Sequence, residues 1–308
     1  MRGALWGSCV ADVEIRHPVA VIGASSLVGE ALLFLLQQSP WPAAAFSRSA
    51  AAHAGSPVDW RQLPVSGGLS GRDTVPGSDD KLPLWICVAP IWVLPEHFAL
   101  LDAHGARRVV ALSSTSRFTK SGSSDSQEQS VAERLAEAEA RLQAWAEARG
   151  VEWVVLRPTL IYGLGRDKNI VEIARCIRRF GFFPVFGRAD GLRQPIHAQD
   201  VAGACLAALQ AVDVANRAYN ISGGETLPYR EMVVRVFAAL GCPPRLLAVP
   251  LPAFRVAVSL LHCLPRYRHW SSAMAERMNQ DLVFDHHDAQ RDFAFEPRAF
   301  VLSQEDVA

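Results

Sequence analysis

Four short runs of this chain are apolar at every position, residues 19–22, 43–46, 84–89 and 109–112, and a fifth, 151–156, is interrupted only by Glu152. Strands without polar alternation are buried on both faces, a condition met by a parallel sheet with helices packed on each side. The segments between the runs fit that arrangement. Residues 28–37, 95–104 and 131–149 read as helices, the last two ended by Gly105 and Gly150. Strands alternating with helices predict an α/β fold whose parallel strands are joined by right-handed crossovers.

The sharpest local signal follows the first run. In Val21-Ile22-Gly23-Ala24-Ser25-Ser26-Leu27-Val28-Gly29 one glycine stands where the chain turns off the strand, and another where a helix packs back against it. The N-terminus of that helix offers free N–H groups and a positive dipole end to a pyrophosphate. Gly23, Ala24, Ser25, Ser26, Leu27, Val28 and Gly29 are therefore the candidate cofactor cradle of a Rossmann-type doubly wound sheet; an ordinary strand–helix turn is the alternative. NAD sites place an acidic residue after the second strand to accept the ribose hydroxyls. Here no acidic residue occurs between Glu30 and Asp59, and Arg48 stands at the end of the second run. A cation there suits the additional phosphate of NADP, which is preferred over NAD; the plainer reading is a solvated surface arginine.

Charge and cysteine usage narrow the class. With 31 basic and 31 acidic residues the formal net charge is zero, which argues against a general nucleic-acid binder. The six cysteines, Cys9, Cys87, Cys176, Cys205, Cys242 and Cys263, form no C-x-x-C pair and no Cys/His ligand spacing. No metal site is expected, and the thiols read as reduced, in a cytoplasmic protein. Asp12 and Glu14 interrupt the short apolar run near the N-terminus, which disfavours a secretory signal. Residues 246–264 are the most apolar stretch, divided by Pro250, Pro252, Arg255 and His262. They read as a helix buried in a second lobe, with peripheral membrane contact as the alternative and no transmembrane span.

Beyond Pro158 the alternation loosens. Residues 169–180, 200–211 and 229–240 read as helices and 218–221 as a strand, forming a smaller lobe over the carboxyl edge of the sheet. The expected division is an NAD(P)-binding domain at 18–165 and a substrate lobe at 166–308, intertwined into effectively one unit.

Taken in order, these segments resemble the extended branch of the short-chain dehydrogenase/reductase superfamily, which includes nucleotide-sugar epimerases and dehydratases, from about residue 19 to 300. The turn at 23–29 is similar to that family's G-x-x-G-x-x-G, with Ser26 for the middle glycine. Residues 112–118 are similar to its active-site strand end, with Ser114 where the catalytic Ser or Thr would sit. Leu156-Arg157-Pro158 followed by Ile161-Tyr162-Gly163 resembles its R-P…Y-G turn, residues 193–200 its R-x-x-x-H/Y-x-x-D segment, and Ala218-Tyr219-Asn220-Ile221 with Gly223-Gly224 its Y-N-I-x-G-G element. The resemblance implies Ala89 and Pro158 beside a dinucleotide and Thr115 and Tyr162 beside a substrate. It also implies Arg193 on a nucleotide-sugar diphosphate, with Asn169 and Arg277 as companions; a structural salt bridge from Arg193 to Asp200 is the alternative. His197 is read as structural.

One family feature is missing. The proton-transfer pair is a Tyr and a Lys four residues apart, and none of Tyr162, Tyr219, Tyr229 and Tyr267 has a Lys at that spacing. Aligned through Ala138-Glu139, Val131 and Leu135 occupy the two positions. Thr115 and Ser116 follow Ser114, so no acid for dehydration is evident, and Leu63-Pro64 replaces an expected adenine-contacting Asp. Two functions remain open: an NAD(P)-dependent oxidoreductase or epimerase acting on a nucleotide-sugar or related carbonyl compound, with a substrate group, water or Lys120 moving the proton, or a catalytically inactive NAD(P)H-binding sensor or assembly protein. A homodimer through residues 131–149 is the family-level expectation; a solvated helix face is the simpler one.

Overall fold

The structure, a computed structural model, describes residues 17–49, 55–64, 80–252 and 272–308. Its first half runs β1 (Val19–Ile22), α1 (Leu27–Gln37), β2 (Ala43–Ser47), β3 (Asp59–Gln62) and β4 (Leu84–Cys87), then a 3-10 turn (Ile91–His97) into α2 (Phe98–Ala103). There follow β5 (Arg108–Leu112), the single-turn α3 (Ser116–Thr119), α4 (Ser126–Arg149) and β6 (Glu152–Pro158). The second half holds β7 (Ile161–Tyr162), α5 (Ile170–Phe180), β8 (Phe183–Phe186), β9 (Leu192–Arg193), β10 (Ile196–His197) and α6 (Ala198–Gln210). It continues through β11 (Arg217–Ile221), β12 (Leu227–Pro228), α7 (Tyr229–Ala239) and β13 (Leu246–Val249) to short helices at Ser272–Arg277 and His287–Phe293.

Seven strands form one sheet in the order β11-β6-β5-β4-β1-β2-β3, and every neighbouring pair is parallel. The apolar runs explain its burial. In β1, Val19 and Val21 enter one core cluster with Leu32, Leu36, Val201 and Cys205 of α1 and α6, while Ala20 and Ile22 enter the opposite cluster with Leu94, Leu101 and Leu142. Strand order reverses direction at β1/β4, the topological switch point where an open parallel sheet leaves a crevice at its carboxyl edge. Residues 217–221 return from the second half of the chain to complete the sheet beside β6. A third cluster, built from Tyr162, α5, α7 and Phe300, forms the core of the smaller lobe.

Three local readings are revised. The long helix starts at Ser126 rather than 131, because the Asp125 carboxylate accepts the Gln127 N–H at 2.9 Å and caps it inside a polar segment that reads as loop. The helix expected across 95–104 begins as the 3-10 turn that contains Pro95. The apolar stretch at 246–264 opens as a strand, not a helix: Leu246 to Val249 pair in parallel with β8. Its part beyond Pro252, and the leader reading at residues 1–16, lie outside the described residues.

Candidate active site

The crevice begins at the glycine turn. Gly23 has φ +83°, and a Cβ on it would stand 2.5 Å from Ala89 N, so the β1 and β4 loops touch backbone to backbone. A Cβ on Gly29 would lie 2.3 Å from Gly23 O, which is how close α1 packs on its own turn. Ser26 caps the helix, its hydroxyl accepting the Gly29 N–H at 3.1 Å. Helix geometry leaves the Leu27 and Val28 N–H groups without an intrahelical acceptor, a cradle suited to an anion. Arg166, reaching across from the loop after β7, pairs with Glu30 and donates to Ser25 O at 3.3 Å. Arg48 is exposed at the end of β2 and holds no ion pair among the described residues; Gln62 donates to its carbonyl at 2.7 Å. Cys87 lies beneath the same edge, where burial pushes its thiol up to about 12 and keeps it protonated.

At the end of β5 the three hydroxyl residues have different tasks. Ser113 is buried and donates to Glu139 Oε1 at 2.5 Å. Ser114 is half-buried; its Oγ accepts the Ser116 N–H at 3.1 Å and its own proton is left to donate outward. Thr115 is turned inward, with both its N–H and its hydroxyl donating to Pro158 O at 3.1 Å. Its side chain ties the β5 loop to the end of β6. Pro158 sits buried at that junction.

Glu139 is the hub of this floor. Only 6 % exposed, it accepts from Arg157 Nη2 at 2.6 Å and Nε at 3.1 Å and from Arg117, besides Ser113. Two guanidiniums on one carboxylate leave a net positive charge beside Ser113. On α4, Leu135 is buried in the apolar cluster under the sheet and Val131 packs against it, so the positions aligned with the Tyr/Lys pair are filled by packing groups.

A second charged group closes the mouth. Glu128 of α4 takes the Ser123 hydroxyl at 2.7 Å, pairs with Arg277, and lies 4.0 Å from Lys120 Nζ. Burial, followed by the Arg277 charge, lowers the Lys120 pKa from its ordinary value against the pull of Asp125, and burial likewise lowers that of Arg277. The ring of Phe118, 6.1 Å from that of Phe284, joins the same two segments.

Other expected substrate residues stand elsewhere. Tyr162 is fully buried between His197 and Phe300 in the core of the small lobe, its hydroxyl donating to Val301 O at 3.3 Å and pushed up to about 12 by burial. Arg193 is buried over the Tyr229 ring and donates to Leu192 O at 2.8 Å, Gln280 O at 2.7 Å and Arg277 O. It thereby fixes the backbone that carries Arg277. Asp200 bonds Arg298 at 2.8 Å instead of Arg193. Asn169 is exposed at the start of α5, its N–H capped by Asp167 at 2.7 Å. Among the described residues no cluster of His, Cys, Asp or Glu is suited to a metal, and no helix is long and apolar enough to cross a membrane.

This fold and crevice define a Rossmann-type α/β protein with a smaller lobe beyond the carboxyl edge of its parallel sheet. Residues 98–222 match the family described as "NAD dependent epimerase/dehydratase family". The chain is similar to a UDP-glucose 4-epimerase of Vibrio cholerae, 26% identical over 120 residues, covering 39% of this chain and 37% of that protein. It is also similar to a 2-alkyl-3-oxoalkanoate reductase of Stenotrophomonas maltophilia, 28% identical over 158 residues and 48% of each chain. The chain thus spans less than half the length of these curated relatives. Over 94% of this chain and 96% of its own, MoeE5 in complex with UDP-glucuronic acid and NAD superposes with a TM-score of 0.65 at 18% identity.

Proposed function

We propose that the protein is an NAD(P)-dependent oxidoreductase of epimerase/dehydratase type acting on a nucleotide-sugar or related carbonyl substrate, with a proton-transfer arrangement that does without the Tyr/Lys pair. The observation that carries this reading is the glycine cradle at β1/β4, packed so closely, Gly23 on Ala89 and Gly29 on Gly23 O, that neither glycine tolerates a Cβ. Residues 23–29 would hold the pyrophosphate, with Arg166 beside it and Arg48 toward an adenosine phosphate, which favours NADP. Bound there, a nicotinamide supplies or accepts a hydride. The Ser114 hydroxyl donates to the substrate oxygen, the net positive charge around Glu139 favours negative charge developing on that oxygen, and Lys120 exchanges the proton. Support for the substrate class comes from relatives: the name of the Vibrio protein is that of a nucleotide-sugar epimerase, that of the Stenotrophomonas protein a ketone reductase, and MoeE5 is described with UDP-glucuronic acid. Arg277 at the mouth is the group for an anionic substrate.

Titration of the purified protein with NADPH and NADH, followed by nicotinamide fluorescence, tests the reading. Tighter binding of NADPH, with the difference removed in Arg48→Ala, is expected. Failure to bind either nucleotide would sink it; binding without turnover of any carbonyl substrate would favour a sensor or assembly protein instead.

A further inference from the structure

One surface far in sequence from the glycine turn joins exposed aromatic rings to unpaired cations. Ile170, Val171, Ile173, Ala174 and Ile177 bury one face of α5, so its helical period sends Arg175, Arg178 and Arg179 outward. The helix ends at Gly181, φ 73°, and the turn leaves Phe180 57% and Phe182 37% exposed, with ring centroids 6.2 Å apart. The Arg179 guanidinium lies 5.3 Å from the centre of the Phe180 ring. From there β8 pairs with β13: Phe183 N–H donates to Arg245 O at 3.0 Å, and Leu247 is in register with Pro184. Strand alternation turns Phe183 and Leu246 into the lobe core and leaves Arg245 and Leu247, the latter 51% exposed, on the outer face.

Exposed apolar side chains scattered singly need no explanation, but contiguous ones mark a contact. Here the charge of the adjoining described segments is of one sign. The sequence holds no acidic residue between Glu172 and Asp190 and none from Cys242 to Pro252. Arg175 is paired with Glu172, while Arg178, Arg179 and Arg245 hold no ion pair among the described residues.

We propose that Arg178, Arg179, Phe180, Phe182, Arg245 and Leu247 form a docking surface for an anionic phospholipid bilayer. Guanidiniums on flexible stems reach lipid phosphates, and phenyl rings and a leucine enter the acyl boundary beneath them. A nucleic acid would satisfy the arginines and stack on the rings but give Leu247 no apolar phase to enter, and an acidic peptide would leave both the rings and Leu247 at a charged surface.

Flotation of the full chain with phosphatidylcholine vesicles, with and without phosphatidylglycerol, at low and high salt, tests the proposal. Binding is expected only with phosphatidylglycerol, weakening with salt. Arg178→Glu with Arg179→Glu should reduce it more than about tenfold. Phe180→Ser with Leu247→Ser should weaken it while leaving its salt dependence, and the milder Arg178→Gln with Arg179→Gln should bind at an intermediate level. Thermal melts of all variants should match the parent, since each side chain is exposed. Absence of binding to phosphatidylglycerol vesicles, or equal binding by the charge-reversed variant, would overturn the proposal, as would retention on an acidic peptide or nucleic acid alone.

Discussion

Arg157 grips Glu139 with two nitrogens, Nη2 at 2.6 Å and Nε at 3.1 Å, joining the end of β6 to the middle of α4. With Ser113 and Arg117 on the same carboxylate, the contact ties the end of β5, α3, α4 and β6 together in the crevice floor. Replacing Glu139 by Gln or Ala leaves two guanidiniums facing each other without their anion. A loss of about 3–5 kcal/mol of stability is expected, the cost of breaking a buried ion pair by removing one partner. Urea denaturation midpoints of E139Q and R157M beside the parent check it, and a double variant should lose less than the sum of the singles.

The glycine cradle makes a prediction with its own control. Gly29→Ala would set a methyl 2.3 Å from Gly23 O, so α1 must shift and nucleotide binding should fall by more than about tenfold, a loss above 1.4 kcal/mol. Gly122, around which nothing lies within 4 Å, should tolerate the same change without effect. Fluorescence titration with NADPH reads both.

Ser114 touches the fold through one hydrogen bond from Ser116, so Ser114→Ala should cost about 1 kcal/mol of stability or less. As a donor to the reacting oxygen its removal should lower kcat by about 10²–10³. Equal losses of rate and thermal stability would assign the hydroxyl a structural role only.

Lys120 is one of three lysines, with Lys81 and Lys168, so its side-chain NMR signals can be assigned by substitution. Its pKa, lowered chiefly by burial and then by Arg277, should rise towards the ordinary value in Arg277→Gln as that charge is removed. If the ammonium is the proton donor, reduction rates fall as pH rises through the depressed value, and Lys120→Met loses that limb of the profile.

Stability should fall as pH drops below about 6.5. Burial lowers the pKa of His97, His197 and His286, with Arg298 adding to the effect on His197 and His287 on His286. Between the folded and unfolded values the unfolded chain binds more protons, so stability is present above the unfolded value and declines through the window beneath it. Thermal midpoints at pH 7.5 and 5.5 should differ in the parent and differ less in His197→Gln; equal midpoints would refute the linkage.

The parallel sheet was readable because its cause is local. A strand buried on both faces is apolar along its buried length: β1 and β4 lie within the runs that say so, and β2 and β5 exceed theirs by one residue each, Ser47 and Arg108. The turn at Gly23 was equally plain, since a strand, a left-handed glycine and a capped helix follow each other within nine residues. Glu139 served only as an alignment mark; its burial among cations could have been suspected from the nearby Arg157 motif. Asp125, which starts α4 early, was hidden in a run of serines that favours turns as much as caps.

What no local pattern encodes is which distant side chains meet. Arg166 lies 141 residues from Ser25, Arg193 bonds a carbonyl 87 residues on, and Tyr162 donates to one 139 residues away. Hydrogen bonds of this kind depend on where separate elements stop and how they pack, and a one-residue shift of either partner abolishes them. Apolar burial tolerates such shifts because it is non-directional. Thus residue pattern was enough for the sheet, its crevice and the glycine cradle, whereas tertiary packing tied Thr115 to the end of β6, buried Tyr162 in the small lobe and set Glu128 and Lys120 beside Arg277.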